Sequence, residues 1–368
     1  MRGRLPLGPL VASARQPILI DCEVEDMVVR KARLSAVAGA PNLAPGFEEA
    51  TPLDGAALAS QLCARAAVHH AAAFCGAVED ALAIEVPEPH GAMRVVLSEW
   101  ARIASHLEVI SDIGRCLEDD LVYGRARQRI ARLRDALTEA CGNPFGFGVI
   151  VPGGVRMGEG GGADSLDRLS KDAGTLERDV SFLSRKLSFS RGRLGRGRLI
   201  APTSDGEVPA AALRASGSTL DLRAGESASG FYAGMGYRPA SREGGTALDR
   251  ALLLLMEIKS SLGLIEAART AAREYQGPPE PIPVRTGTGV GSWESPHGAI
   301  EYRVFLSADG RLIRARGSSA AARVTEVAGA AIEGAYFEDA AAVLVSLDLC
   351  TCCMSLGGHE RVGATASD

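Results

Sequence analysis

The sequence predicts a mainly α-helical fold with small β-hairpins (α+β), on three observations. Long alanine- and leucine-rich stretches place apolar residues three and four positions apart, the period of one helix face. Two shorter stretches alternate apolar and polar residues, the period of a strand. Glycine and proline clusters end most of these stretches, and none forms a linker that would divide the chain. Residues 1–368 therefore read as a single domain. It has an N-terminal hairpin at about 17–35, a helical core at about 55–275, and a C-terminal hairpin and cysteine segment at about 294–355.

Residues 17–35 form the first hairpin, with Ile18, Ile20, Val24 and Val28 on candidate core faces. A loop rich in Ala, Pro and Gly follows, up to about Asp54. The alanine-rich stretch from Gly55 to Ile84 reads as one helix, ended by Pro87 and Pro89 because proline cannot continue the backbone ladder. In the next helix, Gly91 to Ile113, Val95, Val96, Ile103, Leu107 and Ile110 share one face. Arg125 to Cys141 is another, stopped by Gly142-Asn143-Pro144, and Pro152-Gly153-Gly154 is a rigid loop after it. Asp164-Ser165 caps a polar helix to about Ser188, and Arg191, Arg193, Arg196 and Arg198 follow in a solvated stretch open to an acidic partner or lipid headgroups. Thr246 to Tyr275 is the longest apolar helix, closed by Gly277-Pro278-Pro279. The last hairpin, Glu301 to Arg316, turns at Ala308-Asp309-Gly310 with Tyr302, Val304 and Leu306 alternating.

Composition narrows the function. Hydrophobic residues are 46% and charged residues 23% of the chain, the balance of a folded globular protein. A net charge of −5 argues against nucleic acid as a partner. No stretch approaches the roughly 20 apolar residues that span a bilayer. Met1-Arg2-Gly3-Arg4 and the apolar run after it outline a signal peptide, but two prolines and a glycine interrupt the run, so a cytoplasmic location is expected. Eight cysteines are too sparse for a disulfide scaffold.

Three of those cysteines cluster near the C-terminus, in Asp348-Leu349-Cys350-Thr351-Cys352-Cys353, where Cys350 and Cys353 form a Cys-x-x-Cys pair. Far upstream, Cys63 lies in Gln61-Leu62-Cys63-Ala64-Arg65-Ala66, and a matching pair would need cysteine where Ala66 stands. Thiolates suit soft and borderline metals. Two readings stay open on the residues alone: inert buried thiols, or a mononuclear zinc or iron held by Cys63, Cys350, Cys353 and Cys352. Cys22, Cys75, Cys116 and Cys141 have no partner spacing and read as structural. Gly287-Thr288-Gly289-Val290-Gly291 lacks the spacing and the strand–helix context of a nucleotide loop.

Taken together and in order, several segments resemble the large subunit of nickel–iron hydrogenases, especially the membrane-bound energy-converting type, and its relative, the hydrogenase-like core subunit of respiratory complex I (NADH-quinone oxidoreductase). They are Gly46-Phe47-Glu48, Cys63 through Phe74 with His69 or His70, Ile84 to Pro87, and the helix carrying Arg94, Glu99, Arg102, His106 and Leu107. Pro152 to Val155, Arg214 to Gly217 with Asp221 to Arg223, Asp249-Arg250 with Glu257 and Ser260, Glu294 to Pro296 with Gly298, and Ser346 to Asp348 with Cys350 and Cys353 complete the set.

The resemblance implies a hydrogenase large-subunit-like helical core and a redox subunit of a membrane-associated electron-transfer complex. Its partners would be a small iron–sulfur subunit and membrane-arm subunits, and it would sit peripherally on the inner face of the cell membrane. Non-catalytic scaffolding in such a complex, or a mononuclear metal-binding accessory role, is the alternative. In the family, four thiolates from two Cys-x-x-Cys pairs hold the nickel–iron centre, so Cys63, Cys350 and Cys353 match ligands and Ala66 replaces the fourth. His297 stands where the family places an arginine against the centre, and would border the cofactor. Glu48 matches a proton-relay glutamate, and His106 is expected as a buried, hydrogen-bonded histidine. This degenerate pattern implies that a nickel–iron centre is absent or altered.

Overall fold

The computed structural model describes residues 3–7, 18–37, 44–159, 161–162, 173–199, 208–224, 230–354 and 356. Strand β1 (Gly3–Leu7) pairs antiparallel with β2 (Ile18–Glu25), which pairs with β3 (Val28–Val37). Asp26 and Met27 turn between β2 and β3 with positive φ, the conformation tight hairpins require. The expected hairpin is present, with β1 added to its edge. A register shift between Glu23 and Val24 sets Val24 opposite Val29. Because side chains alternate with period two, the shift sends Val29 into the core and leaves Val28, expected there, half-buried. Ile20, Cys22 and Val24 are buried as well. The side-chain setting of Ile18 lies outside the described residues.

After α1 (Ala44–Phe47), the single helix expected over 55–84 is two, α2 (Pro52–Gln61) and α3 (Ala67–Leu82). The break falls at 62–66 and carries Cys63. Alanine favours helix throughout this stretch, so propensity conceals the interruption. Helix α4 (Glu88–Cys116) runs beyond the expected ends and buries Arg94, Glu99, Arg102 and His106 along with its apolar face. Asp119 caps α5 (Asp120–Cys141) by accepting from the backbone N–H groups of Leu121 and Val122, and Gly142 ends it in the left-handed region. The ribbon β4 (Ile150–Val151) and β5 (Gly154–Val155) turns through Gly153, whose φ is 83°.

The polar helix is observed as α6 (Ala173–Phe189); its expected cap at Asp164-Ser165 lies outside the described residues. The arginine run that reads as solvated is partly tied into the fold. Arg193, in α7 (Arg191–Leu194), pairs with Asp339, and Arg196 lies over the Tyr336 ring at 4.1 Å. After α8 (Ala210–Arg214), a capping box between Thr246 and Asp249 starts α9 (Ala247–Ala272), which packs along α4. The chain then forms the sheet β6 (Gly287–Ser295), β7 (Gly298–Leu306) and β8 (Leu312–Ser319), in that order, with Tyr302, Val304 and Leu306 buried as expected. Helices α10 (Val324–Ile332), α11 (Ala340–Val345) and α12 (Thr351–Met354) finish the described chain.

The glycines of β6 explain how sheet and core meet. A Cβ on Gly291 would stand 2.2 Å from the Ala77 nitrogen and 2.3 Å from the Ala73 oxygen, and one on Gly289 would stand 2.2 Å from the Ala77 oxygen. Strand β6 therefore lies backbone to backbone on α3, whose alanines supply the flat surface. Gly291→Ala is expected to destabilise the chain by about 3 kcal/mol, because neither backbone can move aside. Gly263→Ala, in α9 with open space around it, should instead stabilise by about 0.5–1 kcal/mol. Urea denaturation of both variants checks the pair of opposite signs; equal effects would remove the packing explanation.

Candidate metal centre

Three separate turns bring the thiols together. Cys63 lies in the break between α2 and α3, His297 in the β6–β7 turn, and Cys350 and Cys353 at the short α12. All four side chains are buried, and their ligand atoms lie within 4.8 Å of one another. The Cys63 and Cys350 sulfurs are 3.3 Å apart. Half-buried Cys352 reaches Cys350 and Cys63 as well. Ala66 is fully buried in the same cluster, beside Cys63, Cys350, Cys353 and Ala321. The nickel–iron centre therefore does not fit. A dinuclear centre of that kind needs two bridging thiolates, and the methyl group at position 66 offers no lone pair.

A shell of polar groups orients the cluster. The His297 Nδ1 lies 3.1 Å from the Asp348 Oδ2, while its Nε2 has no hydrogen-bond partner. The other Asp348 oxygen accepts from Arg65, which also donates to the Ser105 carbonyl and pairs with Glu108. Asp348 itself has φ 56°, a left-handed conformation that aspartate tolerates better than most residues. On the opposite side, the His70 Nε2 is 3.3 Å from the Cys353 sulfur, and the Tyr302 hydroxyl is 3.3 Å from His70 Nδ1. Phe47 and Phe74 pack edge-on against that tyrosine.

Burial alone would lower the His297 pKa, but the Asp348 carboxylate, then Cys350, holds it at about 9. Burial likewise opposes ionisation of Asp348, and Arg65 followed by His297 outweighs it, keeping the carboxyl below the usual range. Hydrogen bonds from Cys352, Cys353 and Cys63 favour the Cys350 thiolate. Contact with Cys350 pushes Cys63 and Cys353 up in turn.

Beside the thiols lies a second buried network, built from the remaining motif segments. Arg94 joins Glu79 to the carbonyls of Val151 and Gly154, so the helix motif and the Pro152–Val155 ribbon meet through one guanidinium. Glu99 accepts from Arg223, Tyr232 and Ser261. Ser261, the neighbour of the motif's Ser260, is the serine that faces inward. His106 lies 2.9 Å from Glu257, which also pairs with Arg214, and Arg214 reaches Glu294. His106 is thus the buried, hydrogen-bonded histidine expected, although its partner is on α9 and not on its own helix.

Glu48 sits exposed in the turn that ends α1, while its neighbour Phe47 turns inward, stacked on Phe74. Successive residues of a short helix end point apart, so burying Phe47 turns Glu48 to solvent. Sequence reasoning missed Asp348, Arg65 and His70 as the groups that orient the cluster. All three stand inside or next to the cysteine motifs, and their ionisable side chains at those positions were the available signal.

Fold and site together define a hydrogenase-large-subunit-like protein. The chain is 28% identical over 281 residues to membrane-bound hydrogenase subunit alpha of Pyrococcus furiosus, an alignment covering 67% of this chain and 62% of that subunit. It is 23% identical over 364 residues to the carbon monoxide-induced hydrogenase of Rhodospirillum rubrum, covering 95% and 98% of the two chains. With a subunit of the NADH-quinone oxidoreductase of Bacillus cereus it shares 27% identity over 251 residues, covering 65% and 66%. No family profile matches. A chain from the structure of the membrane-bound sulfane sulfur reductase, an archaeal respiratory membrane complex, shares the fold with a TM-score of 0.85 at 20% identity, over 96% and 98% of the two chains. The chain is therefore a homologue of membrane-bound hydrogenase large subunits and of the hydrogenase-like subunit of NADH-quinone oxidoreductase. No helix among the described residues is long and apolar enough to cross a membrane.

Proposed function

We propose that this chain is the large-subunit-like member of a membrane-associated electron-transfer assembly of hydrogenase or complex I type, and that it does not activate hydrogen. The observation that carries this reading is Ala66, buried among three thiols where the relatives' pattern calls for a fourth. A small iron–sulfur subunit would bring electrons near the thiol cluster, and membrane-arm subunits would hold the chain against the inner face of the membrane. The buried motif segments Arg94–Leu107, Pro152–Val155 and Arg214–Arg223 support this, because they carry a buried ion-pair network although one of the four expected metal ligands is missing. Affinity purification of the tagged chain from native membranes should bring down an iron–sulfur subunit and integral membrane subunits. A monodisperse monomer with no co-purifying redox subunit would overturn the proposal.

A scaffold role within such an assembly is favoured by the closure of the cluster, since all four of its side chains are buried. If the chain is a scaffold, Cys350→Ser leaves electron transfer through the purified assembly unchanged as long as the assembly forms.

A further inference from the structure

We propose that Cys63, His297, Cys350 and Cys353 form a closed, mononuclear, tetrahedral site for a divalent metal of the zinc class, with Asp348 as the positioning residue for His297. The donor set is three sulfurs and one imidazole, all buried and within 4.8 Å of one another. Two thiolates on one tetrahedral zinc stand about 3.8 Å apart, given metal–sulfur bonds of about 2.3 Å. The Cys63–Cys350 distance of 3.3 Å therefore needs only a small opening to accept the ion.

The histidine supplies an independent observation. Its Nδ1 is engaged by Asp348, and its Nε2 is a fully buried nitrogen without a partner. A ligating histidine commonly has this arrangement, in which the carboxylate fixes the tautomer and turns the other nitrogen's lone pair toward the metal. A buried polar atom left unsatisfied is costly, and a metal bond removes that cost. Ala66, packed in the same cluster, supplies no second bridge.

Loading follows a balanced reaction. The divalent ion takes a lone pair from each of three thiolates and from the neutral imidazole, the protons still held by the thiols and by the His297 ring leave to solvent, and no oxidation state changes. The resulting site carries one net negative charge, and the Arg65 guanidinium, already paired with Asp348, opposes it. With four protein ligands no position stays open for substrate, so the site is structural. This proposal does not depend on which partners the chain has, because it concerns ligands within one chain.

The test is metal analysis and cobalt(II) spectroscopy on the full-length chain, alone or in its complex. The expected result is about one zinc or iron per chain. Cobalt should give the intense d–d and thiolate charge-transfer bands of a tetrahedral site. Cys350→Ser should lose roughly tenfold or more in metal content, while Cys116→Ser, remote from the cluster, keeps it. A Cys350→Ser chain that fails to fold would give no reading, so His297→Cys provides the second arm: it should keep the metal and shift the cobalt bands toward those of a four-thiolate site. No stoichiometric metal, or cobalt bands unmoved by His297→Cys, would overturn the assignment. So would stoichiometric nickel with cyanide and carbonyl infrared bands.

Discussion

Arg214→Ala is expected to lower folding stability by about 3–5 kcal/mol, the cost of leaving buried charges without their partner. The guanidinium lies 2.8 Å from Glu257 and 2.9 Å from Glu294, and 3.4 Å from Asp221, with every partner buried. Burial would raise the Glu257 pKa, but Arg214 outweighs it, with His106 next, and holds the carboxyl well below its usual range. Glu294 is pushed up by burial and by Asp221 despite Arg214. Removing the arginine would strip the main support from Glu257 and part of that of Asp221, which Arg223 holds foremost. Arg214→Lys should restore only part of the loss, since an ammonium cannot reach three carboxylates with a planar fork. Arg303→Ala, at a strand position where the side chain is 60% exposed, should change stability by no more than about 0.5 kcal/mol. Guanidinium denaturation distinguishes these outcomes, and an Arg214→Ala loss under about 1 kcal/mol would mean that the network does not bear on folding.

Much of the fold is legible in the sequence because its strongest signals are periodic. Helices α4, α5 and α9 and the β7–β8 hairpin follow from apolar spacing and from glycine and proline stops. What the sequence conceals are features set by contacts between distant segments. The break at Cys63 falls within an alanine-rich run whose local preference is helical throughout. The Val28 to Val29 exchange depends on a one-residue register shift that no pattern within either strand specifies. The Gly287–Gly291 run is recognisable as something other than a nucleotide loop, but its role emerges only when α3 is laid against it. The site divides in the same way. The thiols, His297 and the loss at Ala66 are visible in the motifs, whereas the Asp348–His297 pair joins residues 51 positions apart through a turn geometry. The exposure of Glu48 is likewise not legible, because a motif fixes its position along the chain and not the side to which a short helix end turns it.

The chain is also expected to lose stability steeply as pH falls below about 6.5, the ordinary histidine value. Histidines carry this. His69, buried with neither ring nitrogen hydrogen-bonded, is held well below that value, by burial first and then by Arg102. Burial holds His70 at about 3. Burial also lowers His106, even though Glu257 pulls the other way. A group whose folded pKa is depressed binds its proton more readily in the unfolded chain. Its contribution is therefore complete above the unfolded value and is lost as pH falls toward the folded one, at about 1.4 kcal/mol per pH unit for each group. His69 and His70 together should give a slope approaching about 2.7 kcal/mol per pH unit below about pH 6, and His106 and His90, also held low, add to it. Burial would raise Asp221 and Glu257, but arginines (Arg223 foremost for the first, Arg214 for the second) hold both below the usual carboxylate range. They lose their contribution only at lower pH, so the window from about 6.5 to 5 reports the histidines. Denaturation midpoints followed across that window should fall in wild type. His69→Gln should make the slope shallower by up to about 1.4 kcal/mol per pH unit, the share of one fully depressed group. A flat profile in wild type would mean that these imidazoles are solvated or paired in a way their burial does not indicate.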